Sequence, residues 1–176
     1  MRIGVISDTH GRLDSRVVEL FAGVDHILHA GDIGGEAILE TLREIAPLSA
    51  VAGNIDGFRC GQAGEETTVE LGGMRFYLVH ILDRPSRPRP EVAASLRRLR
   101  PDVVVFGHSH LPHNERVDSM WYFNPASAGP RRFDLPRSVG LFEKKRGKWS
   151  AVHIALDDRS VAALGNTMNQ LSRADR

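Results

Sequence analysis

Cysteine is almost missing from the 176-residue chain, which contains only Cys60. One cysteine cannot form a disulfide within the chain or a cluster of thiolate ligands, so a metal site would have to use His, Asp and Asn. Long apolar runs are also missing: no stretch of about 18 apolar residues is present, and the first residues lack the apolar segment of a signal peptide. These absences predict a cytoplasmic protein without a membrane partner.

An excess of one charge is missing too, because 23 Lys and Arg stand against 22 Asp and Glu. The balance provides no general attraction to nucleic acid, so a nucleic acid or nucleotide substrate has no support from charge. The hydrophobic fraction of 41% and the charged fraction of 26% are typical of a folded protein. The length predicts one domain over residues 1–176, with a short helix near 161–164 and a frayed tail at 165–176.

Strand and helix patterns alternate in the first third of the chain. Residues 3–7, 26–29 and 48–52 are predicted strands, and residues 13–21 and 36–45 have helical spacing of apolar positions. Strands that alternate with helices in this way predict a parallel sheet.

The rest of the chain is richer in strands. The runs 67–71 and 74–80 flank Gly72 and Gly73 and predict a hairpin, which would add antiparallel strands. Residues 83–91 contain too many prolines for regular structure. Further along, the pattern predicts a helix over 91–99 and strands over 102–106, 115–117, 120–123, 139–144 and 149–155. The second half is therefore expected to form a β-rich layer.

The candidate functional residues are polar side chains that directly follow apolar strands. In an open α/β sheet the loops at the carboxyl ends of the strands line the ligand crevice, so residues distant in sequence can meet there. Five segments have this placement, and together they supply seven potential ligands: Asp8 and His10, Asp32, Asn54, His80, and His108 with His110.

These residue types favour a transition metal site. Asp8 and His10 place a carboxylate and an imidazole on one short turn, and His108 and His110 place two imidazoles on the same side of an extended segment. Oxygen and nitrogen ligands without sulfur favour Mn, Fe, Zn, Ni or Co over Mg or Ca. Glycine precedes Asp32, Asn54 and His108, which permits close backbone approach in a crowded site.

The order Asp8-x-His10, Gly31-Asp32, Gly53-Asn54, His80 and Gly107-His108-x-His110 resembles the five signature blocks of the calcineurin-like metallophosphoesterases. Gly-His-Ser-His-Leu-Pro at 107–112 and Asn-Pro-Ala-Ser-Ala-Gly-Pro-Arg at 124–131 are similar to the compact prokaryotic phosphodiesterases of the YfcE type. The resemblance implies an α/β fold with a two-layered β-sandwich core flanked by helices.

The resemblance also implies two divalent metal ions, with Mn as the first choice and Ni, Fe, Zn or Co as alternatives. Asp8, His10, Asp32 and His110 would hold one ion. Asp32, Asn54, His80 and His108 would hold the other, so that Asp32 is shared. A hydroxide bridging the two ions would then attack a small phosphate ester, most simply a phosphodiester.

Other residues are assigned to catalysis and substrate binding. Many family members have a His after Gly-Asn that protonates the leaving group, but this chain has Ile55 followed by Asp56. Asp56, His113 or a metal-bound water could replace it, and Asn54, Asp56 and His80 are the residues predicted to act in catalysis. Asn54, Arg131 and Arg132 are the candidates for binding substrate phosphate.

Two alternatives to the phosphodiesterase function stay open at this stage, and so does the oligomeric state. The same two-metal site could serve a phosphomonoesterase or a nucleotide phosphatase. A chain of this fold could also be a binding module that has lost turnover. Association of copies through the β-rich layer is a further alternative.

Overall fold

The computed structural model describes residues 1–57, 63–132 and 134–157, and its strands lie mainly in two five-stranded sheets. In spatial order, the first sheet contains β12 (Lys148–Ala155), β11 (Ser138–Lys145), β1 (Arg2–Ile6), β2 (His26–His29) and β3 (Leu48–Ala50). The second contains β4 (Glu66–Leu71), β5 (Met74–Val79), β8 (Val103–Val105), β10 (Met120–Pro125) and β9 (Pro112–Val117). Cys60, the predicted helix near 161–164 and the predicted tail at 165–176 lie outside the described residues.

The first sheet has the predicted parallel core, since β1 pairs with β2 and β2 with β3 in parallel. The helices α1 (Ser15–Leu20) and α2 (Glu36–Ile45) connect these strands and pack on one face of the sheet. Asp14 caps α1 by accepting a hydrogen bond from the Arg16 amide. Val17 and Leu42 are fully buried there, where each stabilises the fold by about 1.5–3 kcal/mol.

The second sheet packs face to face against the first and carries α3 (Pro90–Leu99) on its other side. Side chains alternate between these two environments along each strand. On β5, Phe76 and Leu78 join the core between the sheets, whereas Tyr77 and Val79 join the core under α3. The helix, sheet, sheet, helix order confirms the predicted α/β sandwich.

The predicted hairpin is confirmed as β4 and β5, which pair antiparallel. It starts a new sheet rather than extending the parallel one. The β-rich second half does not form one layer either, because β11 pairs with β1 in the first sheet while β9 and β10 belong to the second. Among the described residues, no helix is long and apolar enough to cross a membrane.

The expectation of no regular structure over 83–91 was wrong. Two short strands, β6 (Asp83–Arg84) and β7 (Arg87–Pro88), pair antiparallel around Pro85 and Ser86. The prolines are tolerated because this two-stranded ribbon lies apart from both sheets, where a missing amide donor interrupts no ladder.

Candidate metal centre

The loops after β1, β2, β3, β5 and β8 carry the seven predicted ligands. Asp8, His10 and His110 form one group: His110 Nε2 lies 3.2 Å from Asp8 Oδ1 and 3.2 Å from His10 Nε2. Residues 100 positions apart in the chain are thus in contact, as expected from the parallel strand ends.

Asp8, Asp32 and His80 form the second group, in which His80 Nε2 lies 3.3 Å from Asp32 Oδ1. The other oxygen of Asp32, Oδ2, lies 3.9 Å from His10 Nε2, in the first group. The two oxygens of Asp32 therefore face different histidines.

Asn54 and His108 complete the set, with His108 Nδ1 3.0 Å from Asn54 Oδ1. The His108 ring also lies edge-on to the His80 ring, with centroids 5.3 Å apart. These two residues are more exposed than the carboxylates, so they lie at the open side of the centre.

The backbone at the centre is strained. Non-glycine residues seldom adopt positive φ, and each instance costs on the order of 1–3 kcal/mol unless the surroundings hold it. Five of the seven predicted ligands have φ between 49° and 68°: Asp8, His10, Asp32, His108 and His110. The surrounding fold therefore holds these five residues in an unfavourable backbone conformation, and this conformation orients their side chains toward the centre.

Two of the glycines noted in the sequence explain how the loops approach so closely. A Cβ at Gly53 would overlap the backbone nitrogen and a carboxylate oxygen of Asp32. A Cβ at Gly107 would lie 2.7 Å from Asp8 Oδ2 and would overlap the Ser7 hydroxyl. Only glycine at these positions lets neighbouring ligand loops touch.

Asp8 is held in one orientation by its neighbours. Its Oδ2 accepts hydrogen bonds from the Ser7 hydroxyl at 2.6 Å and from the His108 amide at 3.1 Å. Its Oδ1 is therefore the oxygen left to face His10 and His110. Sequence reasoning missed the role of Ser7, for which the only signal is a polar residue at the end of an apolar strand.

The end of β10 and the residues that follow it hold the ligand loops in place. The amide of the fully buried Asn124 donates to the Gly107 carbonyl at 2.8 Å, and the Ser127 hydroxyl donates to the Asp8 carbonyl at 3.0 Å. This structural role for the Asn-Pro-Ala-Ser segment was not anticipated from sequence.

His29 is a buried connector rather than a ligand. The Gly31 amide donates to its Nδ1, and its Nε2 donates to the Thr9 hydroxyl, which donates to the Ile33 carbonyl. Burial lowers the pKa of His29 to about 4, so the imidazole stays neutral at neutral pH.

The electrostatics of the centre favour a cation. Burial lowers the pKa of His80, but the carboxylates of Asp32 and Asp8 outweigh burial and hold that pKa above its usual value. Burial raises the pKa of Asp32, but neighbouring His80 outweighs this and the net shift is downward. Two buried carboxylates thus attract positive charge into a space lined by imidazoles.

Two buried polar atoms at the centre have no hydrogen-bond partner, and a metal ion could bind both. Asp8 Oδ1 and His80 Nε2 are buried and have no hydrogen-bond partner. His80 Nδ1 donates to the Ala30 carbonyl at 2.7 Å, so in the neutral imidazole the lone pair is on Nε2, where a metal ion would take the place of a proton. Unpaired buried groups of this kind are costly unless an ion binds them, so the residues present fit a divalent metal.

Comparison with known proteins decides the family. The model of the calcineurin-like phosphoesterase superfamily domain matches residues 1–147. The chain belongs to this superfamily. The match covers both halves of the sandwich and all seven predicted ligands.

Several relatives resemble this calcineurin-like phosphoesterase over most of their length. A protein of Methanothermobacter thermautotrophicus named "Probable metallophosphoesterase" is 33% identical, covering 80% of this chain and 85% of the relative. Phosphodiesterase YfcE of Escherichia coli K12 is 29% identical, covering 93% of this chain and 96% of YfcE. A zinc-complexed Vps29 structure from Entamoeba histolytica shares the fold, with a TM-score of 0.74, 22% identity and coverage of 91% and 95%.

Asp56 has a different environment from the one expected of a proton donor in this phosphoesterase. Its side chain is only 1% exposed. The carboxylate accepts hydrogen bonds from the amides of Ile33 at 3.1 Å, Gly34 at 2.8 Å and Gly53 at 2.7 Å. Because three amide donors stabilise the ionised form, these contacts favour a role in joining the Asp32 and Asn54 loops, and we propose that role in place of general acid.

Replacing Asp56 with Asn is therefore expected to weaken metal binding by about 10- to 100-fold, as is typical of groups that hold a ligand in place. An Asn side chain accepts through one oxygen and presents an NH₂ group to amide donors. The change is measured by calorimetric titration of metal-stripped protein with Mn²⁺. Unchanged affinity together with a lost alkaline limb in the pH–rate profile would instead restore Asp56 as the proton donor.

The other predicted accessory residues differ in whether they contact the seven ligands. Arg132 Nη2 lies 3.5 Å from His10 Nδ1, which brings this guanidinium to the first ligand group. Arg131 is exposed, and within the described part of the chain its side chain makes no hydrogen bond or ion pair. His113 lies near Glu115 and Phe106, and none of its contacts there is with the seven ligands.

Proposed function

We propose that the protein is a metal-dependent phosphodiesterase with a two-ion centre. The observation that carries this proposal is the pair of buried groups around Asp8 and Asp32, with the unpartnered atoms Asp8 Oδ1 and His80 Nε2 aimed into them. Family membership supports a phosphoesterase, and the geometry of these two groups supports their residues as the metal ligands.

The ligand set divides as the two faces of Asp32 suggest. Asp8, His10 and His110 would hold one ion, and Asn54, His80 and His108 the other, with Asp32 Oδ2 and Oδ1 turned toward the two sides. Mn²⁺ is our first choice, with Ni, Fe, Zn or Co as alternatives, because the donors are oxygen and nitrogen without sulfur.

When bound, two such ions would activate a water molecule and neutralise charge on the phosphate oxygens. The chain itself positions the substrate. Arg132, beside His10, places a positive charge where a phosphate oxygen would approach, and Asn54 lies at the open side. With Asp56 bound to three amides, the arrangement favours esters whose leaving group needs little protonation.

Two other functions have specific support. A phosphomonoesterase or nucleotide phosphatase could use the same ligands, and the superfamily match does not separate ester classes. The Vps29 likeness concerns the fold alone, and it raises a binding module as the alternative to an enzyme. Cytoplasmic location, a small phosphate-ester substrate and self-association stay predictions.

The test is hydrolysis of bis(4-nitrophenyl) phosphate and of 4-nitrophenyl phosphate by metal-stripped protein, before and after adding Mn²⁺. We expect metal-dependent cleavage, faster for the diester, that Asn54→Ala and His80→Ala reduce by more than about a hundredfold. His26→Ala is the matched control, because this imidazole lies at the opposite end of β2 and bonds Ser49.

The outcomes separate the candidates. Faster cleavage of the monoester identifies a phosphomonoesterase. Two ions bound per chain without turnover on either ester favours a binding module. Failure to bind any of the five metals contradicts the whole proposal.

A further inference from the structure

A cavity of about 700 Å³ extends from the second ligand group. Asn54 and His80 form one end of it, and the start of β4 and the first turns of α3 form the other. His80 is 3% exposed and its Nε2 has no hydrogen-bond partner. A substituent on a phosphate bound at the centre would therefore have room to extend into this cavity.

Glu66 provides a fixed carboxylate in the cavity wall. Its Oε2 accepts a hydrogen bond from the Tyr77 hydroxyl at 2.5 Å, and its Oε1 accepts one from the Ser95 hydroxyl at 3.1 Å. Burial, together with Glu66, raises the pKa of Tyr77 well above its usual value, so this hydroxyl remains a donor. Oε1 also lies 3.4 Å from Nη2 of Arg98, an exposed side chain whose ion pair with Glu66 is screened by solvent. The Glu66 side chain is 40% exposed, and its Oε2 retains a lone pair for a further donor.

The remaining charges give the cavity a negative sign. Among the described residues that line it, Glu65 and Glu91 are further carboxylates, and Arg89 contributes a guanidinium that is paired with Asp83 at 3.2 Å. Such a lining repels a second phosphate and disfavours polynucleotides. The apolar side chains of Val79 and Val92 line the cavity as well, which suits a short carbon chain.

We infer that Glu66 determines specificity in the proposed phosphodiesterase, by selecting diesters in which one substituent is a small amino alcohol whose ammonium group binds this carboxylate. The inference rests on the proposed function and names its substrate class. In the reaction, water oxygen bonds to phosphorus, the bond from phosphorus to the other alcohol breaks, and the amino alcohol stays on the phosphate in the cavity.

Three matched diesters test this inference: 4-nitrophenyl phosphates whose second ester is 2-aminoethyl, propyl or 2-carboxyethyl. They share a leaving group and differ only in a terminal ammonium, methyl or carboxylate. Metal-loaded wild type is expected to prefer the aminoethyl over the propyl ester by about tenfold or more in kcat/KM, and to cleave the carboxyethyl ester most slowly.

Glu66→Gln should bring the aminoethyl to propyl ratio in kcat/KM close to one, because an amide carries no charge to bind the ammonium group. Glu70→Gln, on the same strand outside the cavity, is the matched control and should keep the wild-type ratio. If circular dichroism shows that Glu66→Gln is misfolded, Glu91→Gln replaces it and should lower the ratio in the same direction.

Equal cleavage of the three esters by wild type, or a ratio unchanged by the cavity variants, overturns the inference and leaves the phosphodiesterase proposal standing. Failure of the metal-loaded protein to cleave any of the three overturns both.

Discussion

Replacing Asp32 with Asn is expected to reduce the bound metal from two ions to one or none and to lower kcat by more than about a hundredfold. The two carboxylate oxygens face different ligand groups, with Oδ1 3.3 Å from His80 Nε2 and Oδ2 3.9 Å from His10 Nε2. An amide is neutral and retains one oxygen, so it can serve only one side. Metal content by mass spectrometry and Mn²⁺ titration provide the measurement.

Loss of the fold is not the expected cause. Asp32 Oδ1 accepts from the Ile55 amide at 3.1 Å, and an Asn oxygen can keep that bond. Because His80 holds the pKa of Asp32 below its usual value, the ionised carboxylate stabilises the metal-free fold, so the variant should unfold cooperatively at a slightly lower temperature. Asp118→Asn, in an exposed turn, is the control. Two ions retained in Asp32→Asn would show that Asp32 is not shared.

Replacing Gly53 with Ala is expected to destabilise the metal-free protein by about 2–4 kcal/mol and to weaken metal binding at least about tenfold. The new methyl group would overlap the Asp32 carboxylate and backbone nitrogen, and would come within 2.8 Å of its Cα. The backbone of Gly53 cannot easily shift away from Asp32, because its amide donates a hydrogen bond to Asp56 Oδ2 at 2.7 Å. Urea unfolding of stripped protein and Mn²⁺ titration measure the two effects.

Gly64→Ala is the matched control, because its Cβ would lie 3.6 Å from the nearest atom, the Glu66 carbonyl oxygen. It should change the free energy of unfolding by no more than about 0.5 kcal/mol. If Gly53→Ala behaves like Gly64→Ala, the close approach of the two loops does not constrain the centre.

The placement of Asp56 shows where residue patterns stop being informative. Its position two residues after Asn54 suggested a replacement acid, but its three amide partners come from two different loops. Backbone donors leave no signature in the sequence. Asn124 and Ser127 were missed as positioning residues for the same reason, since their partners are backbone carbonyls distant in the chain. Ser7 was missed although its partner is the side chain of the adjacent Asp8.

Apart from β6 and β7, the order of strands and helices, the α/β class and the set of seven candidate ligands follow from the sequence alone, because apolar periodicity and residue type are local properties. Folding decides which sheet receives each late strand: β11 returns to β1, whereas β10 joins β8. It also decides that Asp32 faces two groups, that Glu66 lines a cavity beside His80, and that Asp56 binds amides. These features depend on contacts between residues far apart in the chain, and distances across the sandwich are set only when the whole core packs.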